Sequence, residues 1–110
     1  MNWINLNDEA LLNEIKVKSA EKPQLIFKHS TRCSISSMAK NRLDRAEQPE
    51  GIDFYYLDLI ANRNLSNKVA EVFDVEHESP QVLLIKNGTC IYDESHTGIS
   101  IDEIEEQAAA

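Results

Sequence analysis

The apolar positions change period several times along the chain, and each change marks an element. Leu25-Ile26-Phe27 is an unbroken apolar run of the kind that fits a buried strand, predicted over Gln24 to His29. Beyond the polar turn Ser30-Thr31-Arg32 the spacing becomes helical, with Ile35, Met38, Ala39, Leu43 and Ala46 close to one face. Pro49-Glu50-Gly51 ends that helix, which begins near Cys33. Upstream, Trp3 to Leu6 reads as a brief edge strand. Asn7 or Asp8 then caps a helix carrying Leu11, Leu12 and Ile15, which Pro23 closes off. Downstream, Asp53 to Leu59 is β-prone, and Asn62 or Asn64 caps a helix with Leu65, Val69, Val72 and Phe73 on one side. A loop from Val75 to Ser79 leads through Pro80 into the strand Gln81 to Lys86. Asn87-Gly88 is a hairpin turn, and Thr89 to Asp93 is the returning strand. Ser100 and Glu103 have capping-box spacing ahead of a last helix with Ile101 and Ile104.

The predicted order is therefore (β)αβαβαββα. Strands separated by helices imply parallel crossovers, and the hairpin adds an antiparallel edge. The fold class is α/β, a mixed sheet of four to five strands with helices on both faces. The 110 residues suit a single domain over 1–110.

Charge narrows the partners. A net charge of −8 argues against nucleic acid or an anionic membrane surface, because both require clustered cations. No apolar run approaches the ~18 residues of a membrane span. The N-terminus has no basic region followed by an apolar one, and two cysteines without such a signal point to a reducing, cytoplasmic setting.

Cys33 is the candidate for chemistry because it falls where a buried strand ends and a helix begins. The first backbone N–H groups of a helix have no intrahelical partner, and partial positive charge gathers there. Both effects favour a thiolate. Arg32 adds a neighbouring cation, and Ser34 and Ser36 offer donors within one turn, so these three are candidate thiolate-stabilising residues. A buried, inert cysteine is the alternative, and the flanking Thr, Arg and Ser fit it poorly. His29 could serve as a base, but an activated thiolate has little need of one. His77 and His96 are isolated in sequence and form no metal-ligand spacing with the two cysteines.

Three marks together resemble the thioredoxin fold: Cys33 at the strand–helix junction, Ser79-Pro80 before a strand, and Asn87-Gly88 after it. In that family the proline is cis, lies beside the reactive sulfur and leaves a backbone edge free for a substrate peptide. Thioredoxins carry C-x-x-C, whereas this chain has Cys33-Ser34-Ile35-Ser36. The string Thr31-Arg32-Cys33-Ser34-Ile35-Ser36 is similar to the T-x-C-x-I-S signature of monothiol bacilliredoxins, the thioredoxin-like proteins of the bacillithiol system. Ser34 departs mildly from the proline or other small residue usual there. The Glu78-Ser79-Pro80-Gln81 segment strengthens the match.

This resemblance implies a monothiol thiol–disulfide oxidoreductase with Cys33 as nucleophile and Thr31, Ser79 and Pro80 contacting substrate. No tightly bound cofactor is expected; bacillithiol would be a co-substrate. The implied partners are client proteins carrying mixed disulfides, the small thiol, and a partner redoxin or reductase. The rival readings are a thioredoxin-fold adaptor without redox turnover and a glutaredoxin-like iron–sulfur carrier. Cys90 is expected opposite Ile85, on the order of 16 Å from Pro80 at ~3.3 Å per strand residue. A disulfide needs Cα atoms within about 7 Å, so Cys90 reads as a structural strand residue and not as a resolving thiol.

Overall fold

The computed structural model describes residues 1–110. Its central strand, β2 (Gln24–His29), is buried at all six positions, as an apolar strand covered on both faces should be. It lies between β3 (Asp53–Asp58), which is parallel to it, and β4 (Gln81–Lys86), which is antiparallel. The two-residue β1 (Ile4–Asn5) forms one edge, parallel to β3. The other edge is β5 (Thr89–Ser95), antiparallel to β4, giving the order β1-β3-β2-β4-β5.

Four helices complete the fold: α1 (Glu9–Lys18), α2 (Ser34–Arg45), α3 (Arg63–Phe73) and α4 (Ile101–Ala109), the last preceded by a 3₁₀ turn at His96–Gly98. Strand alternation divides the core between the two faces of the sheet. Ile26 joins Leu12 and Ile15 of α1 and Val69 and Phe73 of α3, while Leu25 and Phe27 join Ala39 and Leu43 of α2 and Ile104 of α4. Asp8 caps α1 by accepting the Leu11 N–H at 2.8 Å. Asn87 and Gly88 both have positive φ, 54° and 76°, as a two-residue hairpin turn twisted to match its strands requires.

Three expectations are corrected. First, β4 runs antiparallel to β2 although a helix precedes it. β3 ends at Asp58, which pairs with His29, and β4 begins at Gln81, opposite Lys28. The connection through α3 thus returns to the end of the sheet that it left, and a strand entering there must run the other way. Second, α2 buries Ser36, Ala39 and Leu43, while Ile35 and Met38 are 45% and 60% exposed. Small side chains at Ser36 and Ala39 let the helix sit close to the sheet, turning the two larger apolar residues outward. Third, Ser100 occupies the N-cap of α4 but makes no side-chain cap bond, and Glu103 accepts instead from Gln107.

Candidate functional site

Cys33 is the N-cap residue of α2, with extended backbone (φ −106°, ψ 122°) and a half-buried side chain. Its N–H donates to Ser30 O at 3.2 Å, and its carbonyl accepts the Ser37 N–H at 3.0 Å, closing the first turn. Burial of β2 up to His29 and exposure of Thr31 and Arg32 bring the chain out of the core just before this cysteine.

The expected donors do not converge on the sulfur. Arg32 and Ser34 are exposed, and neither hydrogen-bonds Cys33. Ser36 is fully buried and committed elsewhere: its Oγ lies 2.6 Å from His29 Nδ1 and accepts the Ser30 N–H at 3.0 Å. Ser36 Oγ makes no hydrogen bond to the Cys33 sulfur; its hydroxyl ties α2 to the end of β2. His29 is itself 4% exposed, stacks on Phe27 at 5.6 Å between ring centroids, and faces Tyr56 at the same separation. Burial first, and then the nearby Lys40 ammonium, hold its pKa below the usual imidazole value, which favours the neutral ring.

The segment before β4 approaches from the same end of the sheet, since Gln81 pairs with Lys28. The Ser79–Pro80 peptide is cis, and Pro80 O accepts the His96 N–H at 3.0 Å. Ser79 makes no backbone hydrogen bond, and its Oγ is buried without a partner. A buried hydroxyl ordinarily finds a partner, so the unpaired Ser79 Oγ sets this position apart. Thr31 is exposed in the turn before Cys33, on this end of the molecule.

Two residues that sequence reasoning passed over hold this loop. Lys28 is fully buried in β2, and its Nζ donates to His77 Nδ1 at 3.2 Å; Ser66 Oγ lies 3.4 Å from the same nitrogen. His77, isolated in sequence, is not isolated in space. Burial lowers the Lys28 pKa to about 8, and burial followed by the Lys28 charge lowers that of His77. Gln81 adds a second tie, donating to Glu76 O at 2.9 Å and accepting the Glu78 N–H at 3.3 Å. The available signal was a lysine, Lys28, directly after the apolar run of β2; nothing in the sequence marked His77 as its partner.

Cys90 pairs with Ile85, and Ile85 also registers with Gln24, the first residue of β2. Cys33 follows the last residue of β2, so the length of the strand separates the two thiols, and both are free. An irregularity in the β4–β5 ladder lies beside Ile85, and Cys90 packs against the α1/α3 core while Tyr92 packs on the other face. The Cys90 sulfur donates to Tyr92 O at 3.3 Å, and burial pushes its thiol up to about 11.

Comparison with known proteins agrees with this architecture. A thioredoxin-fold structure superposes with a TM-score of 0.81 at 28% identity, covering 94% of this chain and 91% of that one. The thioredoxin Mala s 13 of Malassezia sympodialis matches with a TM-score of 0.76 at 15% identity, over 99% of this chain and 92% of its own. Fasciola hepatica thioredoxin gives 0.72 at 15% identity, over 96% and 95%. The fold is thioredoxin-like, of the kind used for thiol redox chemistry. The monothiol bacilliredoxin family matches residues 4–104, nearly the whole chain, and the protein belongs to that family.

Proposed function

We propose that the protein is a monothiol thiol–disulfide oxidoreductase that removes bacillithiol, or a similar low-molecular-weight thiol, from mixed disulfides on client proteins. Cys33 is the nucleophile. Its thiolate attacks the sulfur of the small thiol in the mixed disulfide, and the client thiolate leaves. Cys33 then carries the small thiol in a new disulfide until a second thiolate, from another small thiol or a partner redoxin, attacks that sulfur and releases Cys33. Each step breaks one S–S bond and forms one, so no other oxidant is needed. The unmatched backbone of Ser79 supports the loop before β4 as the edge that meets the client chain, with Thr31 and Pro80 beside it. The cytoplasm, where thiols stay reduced, is the setting this chemistry suits.

The observation that carries the reading is a half-buried cysteine at a helix N-cap with no second thiol in reach. Serine occupies the position one turn later, and Cys90 sits at the opposite end of β2. Intact mass after incubation with bacillithiol disulfide tests it. Wild type should gain one bacillithiol, Cys33→Ser none, and Cys90→Ser should strip a bacillithiolated client as wild type does. A protein that forms no adduct on Cys33 is an adaptor and not this enzyme.

A further inference from the structure

Lys28 and His29 are consecutive residues of β2, so their side chains leave the sheet on opposite faces. Each reaches a different half of the site. On the α2 face, His29 Nδ1 meets Ser36 Oγ at 2.6 Å, and the same oxygen accepts the Ser30 N–H, which fixes the turn bearing Cys33. On the α3 face, Lys28 Nζ meets His77 Nδ1 at 3.2 Å, which fixes the loop bearing Ser79 and Pro80. Neither side chain is in an ion pair within 4 Å, and both are almost wholly buried. A plain apolar residue would fill either place at less desolvation cost, so packing alone does not account for this pair.

We propose that Lys28 and His29 are paired positioning residues that together set the gap between Cys33 and the Ser79–Pro80 segment: His29 acts through Ser36 on the nucleophile, and Lys28 acts through His77 on the client-binding edge. The inference rests on the proposed function, because it takes Cys33 as the attacking thiol and the Ser79 loop as the client edge. Its distinctive consequence is a division of labour. Strand geometry keeps the two arms on separate faces, so breaking one should leave the other in place.

The test uses two probes with the full chain: bacillithiol disulfide, which needs only Cys33, and a peptide carrying a bacillithiol mixed disulfide, which needs the edge as well. Lys28→Met and His77→Leu should raise KM for the peptide about five- to tenfold, the effect of losing one ordering hydrogen bond, with kcat and the rate of Cys33 loading by bacillithiol disulfide near wild type. His77→Asn, whose amide oxygen can accept in place of Nδ1, should restore KM. His29→Phe and Ser36→Ala should instead slow Cys33 loading by a similar factor and leave the peptide KM unchanged, with His29→Asn restoring the rate. His77 lies in a half-exposed loop, so its variants test the Lys28 arm even if a substitution in β2 fails to fold. If wild type loads on Cys33 but both sets of variants shift both readouts alike, or shift neither, the positioning proposal is overturned on its own. If wild type does not load at all, the proposed function falls first and takes this inference with it.

Discussion

Replacing Lys28 by methionine should make the protein more stable near neutral pH, and the gain should disappear on the alkaline side. The lysine is fully buried, has no carboxylate against it, and makes one hydrogen bond, to His77. Burial moves its pKa from 10.5 to about 8. At ~1.4 kcal/mol per unit, carrying the charged form in the fold costs up to about 3 kcal/mol. Methionine is unbranched, similarly long and uncharged, so it removes this cost and fills the same channel. It also loses the bond to His77, worth about 1 kcal/mol. The net gain is about 2 kcal/mol. Because the folded pKa is the lower one, the unfolded chain binds the extra proton between pH 8 and 10.5, and wild-type stability rises with pH across that window. The cost is complete below it and relieved above it. Urea unfolding at about pH 6.5 and 9.5, followed by far-UV circular dichroism, should show the variant ahead at the lower pH and nearly level at the higher. A variant less stable than wild type at the lower pH, or a difference that does not shrink with rising pH, would refute the reasoning: the ammonium would then be favourably held inside the fold.

Other consequences are as direct. With burial holding the Cys90 thiol at about 11, iodoacetamide near pH 8 should label the native protein once, on Cys33; peptide mapping should find Cys90 modified only after unfolding. Ser36→Ala removes the acceptor of the Ser30 N–H and the partner of His29, and should cost about 1–3 kcal/mol by urea titration, far more than an exposed first-turn serine would. The His29 and His77 pKa values are both lowered, chiefly by burial, so the unfolded chain takes up protons first as pH falls below about 6.5. The urea midpoint should therefore fall between pH 7 and 5, and His77→Asn should flatten that fall.

What was legible in the chain was local. An apolar run gave β2, Asn87-Gly88 gave its hairpin through backbone conformation, and Asp8 gave the start of α1 through one side-chain bond. Cys33 could be placed because a change of hydrophobic period falls on it. The misreadings share a cause of a different kind. Ile35 and Met38 satisfy a helical period but lie outward, since period alone does not say whether a stripe of small residues or one of large residues will face the sheet. The direction of β4 depends on where α3 delivers the chain, which no residue of β4 encodes. Lys28 and His77 are 49 positions apart, and nothing local to either names the other.

The pairing of His29 with Ser36 bears on why this site has one thiol. In a C-x-x-C site the residue one turn after the nucleophile must be free to swing its sulfur onto a mixed disulfide. Here that residue is wholly buried, receives a backbone N–H, and stands 2.6 Å from an imidazole that burial holds toward its neutral form. A thiol is larger than a hydroxyl and a weaker hydrogen-bonding group, so cysteine would fit this place less well on both counts. The serine is thus not a disulfide site with one atom exchanged. It belongs to a network in which histidine, serine and the Ser30 amide fix the start of α2. Cys90, the only other thiol, is separated from Cys33 by the whole of β2 and packed into the opposite end of the sheet. Under the proposed function, whatever relieves Cys33 of a bound thiol would therefore come from outside the chain, and on α2 next to Cys33 the large apolar side chains of Ile35 and Met38 are exposed.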